Sequence, residues 1–121
     1  MRFFRIGAGV LCWAFLLATI CGPAEAHGYL SASFPPAKSH LKTSPHKIKL
    51  HFSLRADARY STIELEDDEG AVLASKTQQK ASRDMDMSAP VLSPGRYHVR
   101  YRILSSDGDV VEGKIDFVVD E

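Results

Sequence analysis

The chain has 121 residues, with 15 basic and 15 acidic side chains, five histidines and two cysteines. Such a balance excludes the strongly cationic surface that a nucleic-acid or anionic-membrane partner requires. The length allows one domain with a modest core.

Residues 1–26 read as a secretory signal. Arg2 and Arg5 form a positive start, Ile6 to Ile20 an apolar stretch, Gly22-Pro23 a break and Ala24-Glu25-Ala26 a small-x-small cleavage pattern. The apolar stretch is too short for a comfortable membrane span, and Ile20 is bulky where lipidation at Cys21 needs a small residue. The expected mature chain is therefore residues 27–121, in the periplasm. Removing the leader removes Cys12 and Cys21, which rules out an intrachain disulfide and a thiolate metal ligand. Removing Arg2, Arg5 and Glu25 with it leaves 13 basic and 14 acidic residues, a net charge near −1.

Cleavage after Ala26 makes His27 the first residue. A terminal histidine offers its α-amine and ring Nδ1 together, a chelate that an internal histidine lacks. Both are borderline nitrogen donors of the kind Cu(II) holds most tightly among divalent ions. Their ordinary pKa values, roughly 6.5 and 7.7–8.0, mean that few protons need displacing near neutral pH.

From Gly28 to Phe34, apolar Leu30, Ala32 and Phe34 alternate with Ser31 and Ser33, predicting a strand ended by Pro35-Pro36. Loop chemistry follows to Pro45. Ile48, Leu50 and Phe52 then alternate with Lys47, Lys49 and His51, the period of two of a half-buried strand. Tyr60 to Glu66 and Ala71 to Ala74 flank the turn Asp67-Asp68-Glu69-Gly70 and predict a hairpin. Residues 76–83 read as a loop or edge, and Met85 and Met87 as a short strand.

After Ser93-Pro94-Gly95, residues Tyr97, Val99, Tyr101 and Ile103 predict another strand. The Ser105–Asp109 break leads to the last one, carrying Ile115, Phe117 and Val119. Helical periodicity is absent. About seven short strands at roughly ten-residue intervals predict a single all-β domain, a Greek-key β-sandwich or barrel.

The mature sequence resembles the CopC family of small periplasmic copper-binding proteins. The resemblance is carried by His27 at the predicted start, Ser33-x-Pro35, Lys47-Ile48-Lys49-Leu50-His51-Phe52-Ser53 and Pro94-Gly95-x-Tyr97-x-Val99. The closing pattern Ser106-Asp107, Gly113, Phe117 and Val119 completes it. It implies an immunoglobulin-like or cupredoxin-like sandwich that buffers or carries Cu(II) in copper homeostasis or resistance. It implies as partners the copper ion and an inner-membrane transporter or cuproenzyme; a monomer is expected.

In the family the terminal histidine, an Asp and a His of the closing pattern hold Cu(II), and a Glu after the Phe-Ser pair assists in some members. Carried over, these fall on His27, Asp107, Asp109 and Leu54, so a carboxylate stands where the family has its second imidazole. The implied metal ligands are His27, Asp107 and Asp109, with His51 as an alternative source of the missing imidazole. Oxygen for nitrogen is accepted by Cu(II) but usually held less tightly.

A different outcome is a sandwich whose metal site has decayed and which serves as a protein-interaction module. Catalysis is not expected, because no nucleophile-base or paired acid-base arrangement stands out. The copper chemistry of polysaccharide monooxygenases would need a second imidazole beside the first. His40, His46 and His98 read as solvated residues, and Met85-x-Met87 as core filling rather than a Cu(I) site.

Overall fold

Alternation decides which side of each strand is buried. The computed structural model describes residues 29–121, which form eight strands: β1 (Leu30–Phe34), β2 (Ser39–Leu41), β3 (Lys47–Ala56), β4 (Thr62–Asp67), β5 (Val72–Thr77), β6 (Ser82–Ser88), β7 (Gly95–Leu104) and β8 (Val110–Val119). They build two layers, a three-stranded sheet in the order β1-β3-β6 and a five-stranded sheet in the order β2-β8-β7-β4-β5. All pairings within them are antiparallel except β2 with β8. The all-β sandwich expected from the spacing of the strands is therefore the observed fold.

The buried faces supply one core. Ile48, Leu50, Phe52, Met85 and Met87 point inward from the smaller sheet and meet Ile63, Leu65, Val99, Ile103 and Phe117 of the larger one. Phe52 joins the layers edge-to-face with Tyr101, ring centroids 5.4 Å apart, while Tyr97 stacks on Phe117 at 5.7 Å. Such pairs add about 0.5–1.5 kcal/mol beyond the area they bury. Met85 and Met87 are 1% and 5% exposed, so they fill the core and do not form a thioether site.

One local feature differs from expectation. Ser39–Leu41, expected as loop, forms a parallel edge strand on β8. The polar stretch from 76 to 83, expected as loop or edge, is a short loop whose ends belong to the edge strands β5 and β6. Two of its side chains fasten the layers at one flank: Gln78 Nε2 donates to the Asp84 carbonyl at 3.0 Å and Lys76 Nζ to the Asp86 carbonyl at 2.8 Å. These two side chains occupy carbonyls that an exposed β6 edge would otherwise offer to another strand.

Candidate metal centre

The β7–β8 corner is built around the two expected carboxylates. Gly108, at φ +89, takes the left-handed conformation that closes the turn, and its N–H donates to the Ser105 carbonyl at 2.9 Å. Ser105 N–H donates to the Asp109 carbonyl at 2.8 Å. The buried Ser105 hydroxyl donates to Asp107 Oδ1, which also accepts from the Asp109 N–H at 3.3 Å. Asp107 is exposed and Asp109 half-buried. They belong to a turn, not to the regular strand on which two carboxylates would share a face.

The corner is tied to the smaller sheet. Ala56 at the end of β3 bridges to Ser105, and Asp57 N–H donates to the Leu104 carbonyl at 2.8 Å. Tyr29, the first described residue, is tied to the same strand. Its N–H donates to Ser53 Oγ at 2.9 Å, and Ser53 N–H donates back to the Tyr29 carbonyl at 2.9 Å. Ser53 and Ala56 are three positions apart, about 10 Å of strand, so the start of β1 and the Asp107–Asp109 corner occupy one end of the sandwich. His27 lies outside the described residues.

The described histidines do not regroup around that corner. His51 precedes Ala56 by five residues, about 16 Å of strand, on the outer face of the smaller sheet. There its Nδ1 is 2.6 Å from Asp84 Oδ1. One ion cannot take both His51 and Asp107 as ligands over that separation, so His51 does not replace the missing imidazole. Leu54 supplies no donor. Among the described residues, no group of three or more His, Cys, Asp or Glu converges as a closed metal site.

His98 departs from the solvated reading. Its side chain is only 14% exposed and is clamped between two carboxylates, with Nδ1 2.5 Å from Asp116 and Nε2 3.1 Å from Asp68. The hydrogen bond with His98 draws the Asp116 carboxyl below its ordinary range, against partial burial, and the charges of His98, Lys114 and Arg96 add to the effect. Asp116 faces His98 across the β7–β8 ladder, while Asp68 comes from the β4–β5 turn. Neither neighbour is near in sequence, so no local pattern announces the clamp. His40 is exposed, with Nδ1 3.1 Å from Asp120.

A CopC domain model matches residues 30–120. The chain is 25% identical to Protein YobA of Escherichia coli strain K12 over 111 residues, covering 88% of this chain and 90% of that one. Among solved structures it is similar to CopC from Methylosinus trichosporium OB3b, at 40% identity and TM-score 0.71, covering 78% of this chain and 94% of that one. It is also similar to PcoC, a methionine-rich copper resistance protein from Escherichia coli, at 29% identity and TM-score 0.66, covering 78% and 100%.

Proposed function

The chain belongs to the CopC family, and from that premise we propose that it is a periplasmic protein that buffers or carries Cu(II). In this reading the leader ends at Ala26, and the His27 amine and ring provide two nitrogen donors. Asp107 and Asp109 provide oxygens, and together the four complete a tetragonal site suited to Cu(II). The carboxylates also neutralise the ion. The cargo passes to an inner-membrane transporter or a cuproenzyme, and the protein is a carrier rather than a catalyst.

One observation carries this reading: Tyr29 and the corner holding Asp107 are attached to the same strand, three residues apart. His27 precedes Tyr29 by two residues, a tether of about 7 Å at full extension, which covers most of the roughly 10 Å between the two anchors and leaves the rest to the reach of the His27 and Asp107 side chains. The test is titration of the protein beginning at His27 with Cu(II), followed by its d–d band and EPR. One equivalent bound tighter than micromolar is expected; weaker binding rules the proposal out.

A second reading is favoured by Asp109 itself. The Asp107 carboxylate braces its own turn through Ser105 and Asp109 N–H, which a sandwich that had lost its metal would retain as an interaction module. Asp109→His discriminates between the two. Strong copper binding by this variant and none by the parent favours the decayed site.

A further inference from the structure

Three of the described histidines, His40, His51 and His98, point Nδ1 at an aspartate, and they differ in what is left over. His98 has both nitrogens occupied by carboxylates. His40 is 67% exposed on a three-residue edge strand, at a longer 3.1 Å from its carboxylate. His51 sits on the middle strand of its sheet, opposite Ala32 of β1 on one side and Asp84 of β6 on the other. Its side chain is half exposed, and the bond to Asp84 is short, 2.6 Å.

The chemistry of that bond sets the tautomer. A carboxylate only accepts, so a neutral His51 carries its proton on Nδ1 and presents the Nε2 lone pair. No described residue takes Nε2 in a hydrogen bond. This is the support that metal-bound imidazoles receive from outer carboxylates. The ring stands beside a shallow groove of about 450 Å³ whose other walls include Ala32, Phe34, Lys49 and Asp86.

We propose that His51, oriented by Asp84, is a second Cu(II)-docking position, separate from the terminal chelate and weaker than it. It supplies one imidazole, and the remaining coordination positions are filled by water or by a donor from an approaching protein. Lys49, two residues along the same face, is paired in register with Asp86 and offsets its charge, so the single imidazole is the main attraction and the position stays exchangeable, as a hand-over point requires. The apolar wall of Ala32 and Phe34 gives such a protein a surface to rest on.

The test uses the mature chain with its α-amine acetylated and His27→Ala, so that both donors of the terminal chelate are removed and the outcome is independent of it. Copper(II) chloride is added below one equivalent while the histidine ring protons are followed by NMR. The His51 signals are expected to broaden before those of His40, His46 and His98. Asp84→Asn should raise the copper needed for half-broadening about tenfold. Equal broadening of His40, His46 and His51, or no effect of Asp84→Asn, overturns the proposal. Both His51 and Asp84 lie on the sheet surface, so a His51→Gln control is expected to keep the fold while losing the earliest response.

Discussion

Asp116 and His98 face each other on β7 and β8, and their contact gives stability a pH dependence. A carboxyl whose folded pKa is lowered stabilises the fold above its unfolded value, and that contribution is lost as pH falls through the folded one. Asp116→Asn should therefore lower the urea midpoint at about pH 6, with the gap to the parent closing as pH drops below the ordinary carboxylate range. A gap that stays constant down to about pH 2 would show that the hydrogen bond contributes no such linkage. Reading single residues reached part of the proposed site. His27 and Asp107 follow from a cleavage pattern and a family motif that are contiguous in the chain. His98 does not, because its partners lie 18 and 30 residues away and meet it only through strand register.

Strands β3, β4, β7 and β8 were legible because a half-buried strand must alternate, and their apolar positions are the ones the core takes up. β2 was not, because three residues are too few to show a period; what makes it a strand is the β8 edge beside it. Within β8, Gly113 faces Tyr101 across the ladder, and a Cβ there would run into the phenol ring. Gly113→Ala should push Tyr101 off Phe52 and cost about 1–3 kcal/mol in urea unfolding. Adding Tyr101→Phe, which removes the nearest oxygen, should recover part of that loss. If Gly113→Ala is within about 0.5 kcal/mol of the parent, the ring does not pack there as described.

The sandwich brings the start of β1 and the β7–β8 corner to the same end, and the proposed chelate depends on that meeting. Acetylating the α-amine of the chain that begins at His27 should abolish micromolar Cu(II) binding, since the amine becomes an amide, while apo-protein stability stays within about 0.5 kcal/mol of the parent. Equal binding by the acetylated chain would remove the terminal amine from the ligand set. Pattern and composition were enough for the all-β class, most strand positions, the inward methionines and the family, because burial periodicity and motif order are properties of neighbouring residues. They left His51 open as a substitute ligand and read His98 as solvated. Those two assignments depend on distance: about 16 Å of strand separates His51 from the corner, and two carboxylates remote in the chain enclose His98. Pairing and register set such separations, and neither is written in any one stretch of residues.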